Sequence, residues 1–444
     1  MKISNKNFIL GLIGIHLLFF VTKIWIGDYF ILDSYEYYKL SENILHEFEF
    51  YCGDLNSNID LRNFNRRPPL YSIFILASSL FLKFNIGILL FQNVLSVISL
   101  ILIRKIFEEY SFNVNTALYF LFIGTSLNQF IYSNLIMSEI FFQFMIIILF
   151  YSLHRLIQNP SWKKLITFQL FIALVFLTKP VFYLFIIPNI VLTYLIYKKT
   201  KIRWGFLSSI IPISIFVLYS FWNYTRTGST DFSSMQNFNL LEWNVKYFHQ
   251  NKYGAQKAIA INDSILSKSE KIKSYPERQN YIKNTSIEYL KKDLIGYGIF
   301  HLKGCFRIFI DPGRFDIANF FKIESENPEL GILYHINNGG LKGAFNFLRS
   351  QNIFLFIVFF IILFFNLVKV VGFIWFWIKN YKEVNLTILT IIFIVLYIVI
   401  LTGPLGASRF FVPILPAYLV FAVLGCNDIV LKLTKNEHGI IIGQ

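Results

Sequence analysis

The sequence predicts an all-α polytopic membrane protein, with about ten transmembrane helices, interfacial helices in the first external loop and a small external domain. Three observations carry this. The 444 residues are 55% hydrophobic and only 15% charged, whereas soluble domains carry about 25% charged residues. Apolar runs of spanning length recur along both halves of the chain. The short connections between them are repeatedly basic. The 51 phenylalanines and the abundant Ile, Asn and Lys read partly as the compositional bias of an AT-rich genome. The net charge of +15 belongs with cytoplasmic loops and does not imply nucleic acid.

The first apolar run, 8–26, follows Lys2 and Lys6. It is long for a signal-peptide core and lacks a small-x-small cleavage site, so it is expected to stay as the first span. Further spans are expected near 86–103, 114–132, 135–153, 164–179, 181–197, 205–222, 351–378, 385–402 and 409–431. The run 70–82 is shorter and follows "RRPP". If it does not cross, the basic segments "RKIFEEY", "HRLIQNPSWKK", "YKKTKIRW", "IKNYK", the N-terminus and the C-terminal "KLTK" all fall on one side, the cytoplasm. The segment 70–82 is therefore expected to lie in the outer interface.

Three parts follow: an N-terminal membrane body (1–222) with a catalytic first external loop (27–85), an external domain (223–350), and C-terminal membrane helices (351–444). Within the external part, "YPERQNYIKNTSIEYLKKDLIG" has the spacing of an amphipathic helix. The three cysteines form no CxxC pair, and no Walker A, GxGxxG or zinc motif is present. Neither paired halves nor discontinuous helices, the marks of a transporter, are visible in the sequence.

Polar residues gather where spans meet the outside. In "GDYFILDSYEYYKLSENIL", Asp33 and Glu36 fit a capping box at a helix start, and Tyr37 and Tyr38 would sit at headgroup depth. A cap and a catalytic carboxylate are both compatible with Asp33. Arg66 and Arg67 could meet anionic headgroups or a substrate. Glu139 lies about one turn into a span, where an ionised group needs a cavity or a partner. Lys179 lies at the outer turn between two spans. Arg409 stands outside against the charge bias, and its planar fork suits phosphate.

The pieces "DSYEYYKLSENIL", "RRPPLYSIFILA", "SNLIMSEIFF", "LVFLTKPVF", "FWNYTRTG" and "GASRFFVPILPAYLVFA", in this order, resemble the GT-C superfamily of integral-membrane glycosyltransferases. That group includes protein O-mannosyltransferases and aminoarabinose transferases of lipid A. The resemblance implies transfer of a sugar from a polyprenyl-phosphate-linked donor to an acceptor hydroxyl of a lipid, glycan or protein, by inverting single displacement. The expected setting is a bacterial inner membrane, with the site on its extracytoplasmic face. By position, Asp33 would be the general base and Glu139 would occupy the second acidic position, lining the acceptor or metal region. Arg409, Lys179 and Arg67 would contact donor phosphate; Glu36, Tyr37 and Arg66 would support the first loop. No metal ligand set is assigned, and a divalent cation is the one cofactor left open. The first loop carries D-S-Y-E in place of an Asp-Glu pair, which leaves the acceptor class open. The competing readings are a lipid or solute transporter or flippase, and a lipid-linked polysaccharide polymerase or ligase.

Overall fold

A computed structural model describes residues 4–82, 84–323, 353–382 and 384–441, with isolated positions between 340 and 349. Every regular element among these residues is helical. The expected end of the external domain, 324–350, lies almost wholly outside the described residues, as does Lys83 in the expected run 70–82.

The N-terminal part comprises α1 (Asn5–Ile26), α2 (Leu32–Glu47), α3 (Leu70–Ser79), α4 (Phe84–Glu109), α5 (Thr116–Gly124), α6 (Asn128–Ser133), α7 (Ser138–Gln158), α8 (Trp162–Thr178), α9 (Ile186–Thr200) and α10 (Ile210–Thr227). Six further helices follow: α11 (Met235–Asn239), α12 (Tyr247–Tyr253), α13 (Ala255–Glu270), α14 (Tyr275–Lys291), α15 (Leu294–Ile310) and α16 (Arg314–Phe321). The chain closes with α17 (Ile353–Asn380), α18 (Leu386–Thr402) and α19 (Leu415–Ile441).

Seven helical segments among the described residues are long and apolar enough to cross a membrane: Asn5–Ile26, Asn85–Glu109, Ser138–Gln158, Pro180–Thr200, Gly205–Thr227, Phe356–Asn380 and Ser408–Thr434. Helices α8 and α18 have 17 residues each, about 26 Å and so near the lower limit for a span. The tenth expected span, 114–132, is not continuous. It breaks between α5 and α6 at Thr125–Leu127, within the small, polar stretch Gly124-Thr125-Ser126. Length alone therefore does not carry ten crossings, and the expected absence of discontinuous helices is corrected. Helix α3, at 10 residues, reaches about 15 Å and is too short to cross.

Two bonds fix which helix ends share a side. Arg104, late in α4, donates to Asn5 Oδ1 at the start of α1 over 3.0 Å. Glu109, at the end of α4, meets His154 near the end of α7 at 2.6 Å. The end of α1 and the start of α7 thus lie together at the opposite end, and the loop 27–85 folds there. Helices α17 and α19 are held backbone to backbone by Gly372 and Gly425; a methyl on either would strike the facing carbonyl chain.

Helices α11 to α14 wrap a small apolar cluster that includes Leu241, Val245, Phe248, Ile265, Ile282 and Leu290. Helix α14 buries Tyr275, Gln279, Ile282, Ser286 and Leu290, the face its sequence predicts. Helix α15 behaves differently from the rest of that expected domain. His301 Nε2 contacts Ile400 O at 2.7 Å and Arg307 donates to Leu405 O at 2.6 Å, so α15 is packed on the end of α18 and the turn after it.

Candidate active site

Helix α2 does not begin where the D-x-x-E spacing predicts. Its N-cap is Ile31, and the reciprocal bond is made by Ser34, whose Oγ accepts from Ile31 N–H at 2.9 Å. Asp33 lies one position inside the helix, with its carboxylate turned away from the helix backbone. The capping-box reading of Asp33 and Glu36 is thereby corrected: the two acids, three apart, share a helix face, and that face meets two arginines.

The arginines come from the loop before α3. Pro68 and Pro69 end the loop and start the helix. The loop is held from behind by the chain that leaves α10: Asn65 Nδ2 donates to Asp231 O (3.0 Å), and Ser233 Oγ donates to Arg66 O (3.0 Å). Asn223, in "FWNYTRTG", fixes that chain by donating to Asp231 O and Phe232 O at 3.1 and 3.2 Å.

A continuous row of alternating charges results. Arg66 Nε meets Glu36 Oε1 at 2.7 Å, and Arg67 Nε meets Glu36 Oε2 at 2.6 Å. Arg67 Nη2 reaches on to Asp33 Oδ1 at 2.8 Å. Arg409 Nη2 pairs with Asp33 Oδ2, and Arg409 Nε with Glu139 Oε1 at 2.7 Å. Lys179 Nζ closes the row on Glu139 Oε1 at 2.9 Å. Four cations face three carboxylates, which leaves one positive charge in excess. Tyr37 lies beneath the row: the Arg67 guanidinium is 5.1 Å from its ring centroid, and its hydroxyl contacts Ser138 Oγ at 3.1 Å.

The eight residues to which the resemblance gives a role thus meet in one place. Two expected surroundings are corrected. Tyr37 is 1% exposed and packs edge-on against Tyr71, so it is not at headgroup depth. The Arg67 side chain is 9% exposed and committed to two carboxylates, so it does not reach lipid headgroups in this arrangement.

Exposure separates the two acids. The Glu139 side chain is fully buried, with Oε2 unpartnered, whereas the Asp33 and Arg409 side chains are 25% and 23% exposed. Of these two, Asp33 is the one that can present an oxygen to a molecule arriving from solution; Glu36, at the far end of the row, is 21% exposed. Burial raises the Asp33 pKa, but the charges of Arg409 and Arg67 outweigh it and hold the carboxyl well below the usual range. Among the described residues no three His, Cys, Asp or Glu side chains come together as a metal site. The space between Asp33 and Glu139 is bridged by the Arg409 guanidinium.

A second layer was not anticipated from sequence. Asp316, at the start of α16, accepts from Tyr132 Oη (2.7 Å), Asn128 Nδ2 (2.9 Å) and Ser408 Oγ (3.2 Å). Asp311 Oδ2 accepts from Ser408 N–H at 2.7 Å. Together these carboxylates fasten the residue next to Arg409. Burial pushes Asp316 up to about 6, against the opposing bond from Tyr132. Asn128, Gln129 and Tyr132 on a predicted span were the available signal, but they name no partner.

Residues 66–222 match the family model described as dolichyl-phosphate-mannose-protein mannosyltransferase, a GT-C-type glycosyltransferase domain. The matched segment contains Arg66, Arg67, Glu139 and Lys179; Asp33, Glu36 and Arg409 come from outside it and complete the same row. No curated protein and no solved structure matches the chain. The family match, with the apolar helices, supports an integral-membrane glycosyltransferase.

Proposed function

We propose that this protein transfers a sugar from a polyprenyl-phosphate donor to an acceptor hydroxyl on the extracytoplasmic face of a membrane. The observation that carries the reading is the charge row: a solvent-reachable carboxylate, Asp33, held among cations that outnumber the acids. Inverting displacement needs those parts. The acceptor oxygen attacks the anomeric carbon as its proton passes to Asp33. The bond from that carbon to the phosphate oxygen breaks, and its electron pair stays on the phosphate. Arg409 and Lys179, with Arg67 behind Asp33, stabilise the charge gathering there.

In the resting row Arg409 spends its fork on Asp33 and Glu139. An arriving phosphate competes for that fork, and the Nη2 bond that Arg409 gives up to the phosphate frees a lone pair on Asp33 and makes it a better base. Glu139, too buried to meet the acceptor, keeps Lys179 and Arg409 aimed. The broken α5–α6 segment and the buried Lys369 within α17 are features a transporter would share. The charges of the row, however, lie at one end of the helices rather than midway along them.

The direct test is turnover by the purified protein. Release of polyprenyl phosphate from a polyprenyl-phosphate sugar, with an inverted anomeric centre in the product by NMR, is expected. Movement of the intact lipid-linked sugar across vesicles without release would replace this reading with the transporter. Sidedness has its own test: single cysteines at Ser57 and Lys105 in a cysteine-free background should react with an impermeant reagent from outside and inside, respectively. The reverse pattern would turn the site towards the cytoplasm.

A further inference from the structure

Behind the turn that carries Arg409 lies a small, half-open recess of about 40 Å³. Its walls are the α5–α6 break, the end of α15, and the facing sides of α17 and α19. Lys369, within the spanning helix α17, is 1% exposed and lines it. Its ammonium donates to Ser126 Oγ (2.8 Å), Asn366 Oδ1 (3.3 Å) and Thr125 O (3.4 Å), all neutral groups. Among the described residues no carboxylate lies within ion-pair distance of it. A charged residue inside a span is costly and marks a path or a partner.

Two further groups point to what the partner is. Tyr418, 1% exposed, lines the recess with a hydroxyl that has no hydrogen-bond partner. Asn128 lines it as well, with its amide nitrogen spent on Asp316 and its Oδ1 unpartnered. Leaving buried polar atoms unpaired is expensive. A donor (Tyr418), a cation (Lys369) and a free acceptor (Asn128) together suit an oxyanion that also carries a hydroxyl. Asp311, on the same wall, disfavours a second negative charge there. The recess sits in the membrane body, so the ligand must reach it from the apolar phase or the outer rim.

We propose that this recess seats a singly charged lipid phosphate ester: Lys369 and Tyr418 hold its phosphate oxygens, and Asn128 Oδ1 accepts from its hydroxyl. This rests on the glycosyltransferase reading, in which the donor and the released carrier are such lipids. It places a phosphate seat apart from the charge row, with Ser408, the chain neighbour of Arg409, on the wall between them.

The test is binding of a fluorescent polyprenyl phosphate to the full-length protein in detergent. Polyprenol and inorganic phosphate serve as competitors, and turnover is measured in parallel. The wild type should bind the lipid phosphate, with polyprenol and inorganic phosphate each competing at least tenfold more weakly. Lys369→Met should weaken binding about tenfold or more. Tyr418→Phe, which removes an oxygen that no protein group uses, should fold normally and weaken binding by about 3- to 10-fold, one hydrogen bond's worth. Should Lys369→Met fail to fold because Thr125 loses its cap, Tyr418→Phe decides alone. Wild-type affinity in Tyr418→Phe and in any folded Lys369→Met, in a protein that still transfers sugar, overturns this proposal and leaves the enzyme reading standing. Inorganic phosphate competing as well as the lipid would make this a free-phosphate site and overturn the lipid assignment. No binding of polyprenyl phosphate and no turnover by the wild type would overturn both.

Discussion

The charge row and the Lys369 recess bury cations in opposite ways. In the row, each of Arg66, Arg67, Arg409 and Lys179 has a carboxylate oxygen within hydrogen-bond distance. Lys369 has a hydroxyl, an amide oxygen and a backbone carbonyl. Burying a charge is offset only where an opposite charge or a full set of hydrogen bonds meets it. The row meets that cost internally, so it can stand complete before any substrate arrives and has to be opened to work. The recess gives Lys369 three neutral acceptors but, among the described residues, no opposite charge. The difference teaches that a cation's burial says little about its task until its partners are known.

The largest expected effect breaks the row at its exposed acid. Asp33→Asn should lower turnover by about 10²–10⁴-fold, the usual loss for a general base. Polyprenyl-phosphate binding and thermal stability, measured alongside, should survive. Near-normal turnover would reduce Asp33 to a clamp for Arg67 and Arg409. Next is Arg409→Ala, expected to cost about 10²–10³-fold by analogy with losing one charge-stabilising donor. Arg409→Lys should cost less, because charge returns without the fork. Equal activity of the two variants would deny the fork any part.

Smaller effects sharpen the comparison through stability. Glu36→Gln takes one acid from between Arg66 and Arg67. With Glu36 about a fifth exposed, the loss should be about 1–3 kcal/mol, read as a lower unfolding midpoint with turnover largely kept. A large loss of turnover with unchanged stability would move Glu36 into the chemistry. The last effect is of pH. Asp316 has a folded pKa of about 6, above its ordinary 3.8, so folding favours its protonated form. Stability should therefore rise as pH falls through 6 towards 4, by at most about 3 kcal/mol. Asp33 works with the opposite sign: its ion pairs stabilise above the ordinary carboxylate pKa and are lost only on strong acidification. A midpoint that rises between pH 7.5 and pH 5 in the wild type, and not in Asp316→Asn, is the expected result. Identical pH profiles would remove Asp316 from the account.

Much of the site was legible because its residues break local rules. An arginine outside against the charge bias, an acid in the first turn of a span and a lysine at a helix junction all stand out in an apolar chain. Their convergence followed from helix ends sharing one side. The D-x-x-E spacing misled because a capping box and two acids on one helix face have the same period; Ser34 and Ile31 decide between them. The break in 114–132 was hidden because averaged hydropathy does not register a change of backbone direction. Asp316 had no pattern to mark it, and Asn128 stood out only as a polar residue on a predicted span; their partners lie 184 and 188 positions away. Lys369 did carry a signal, a lone charge inside the run 351–378, which the reading of spans passed over.

The interrupted helix also sets an order of assembly. Its exposed carbonyl at Thr125 and its neighbour Ser126 are capped by Lys369, a residue synthesised 244 and 243 positions later. Non-helical backbone at membrane depth is tolerated only when protein or a water-lined cavity covers it. During synthesis the α5–α6 segment must wait, uncapped, until α17 arrives. A nascent chain halted before α17 should therefore be cut by protease near 125–127, whereas the finished protein is protected there. The first half of this membrane body matures only when the second half reaches it.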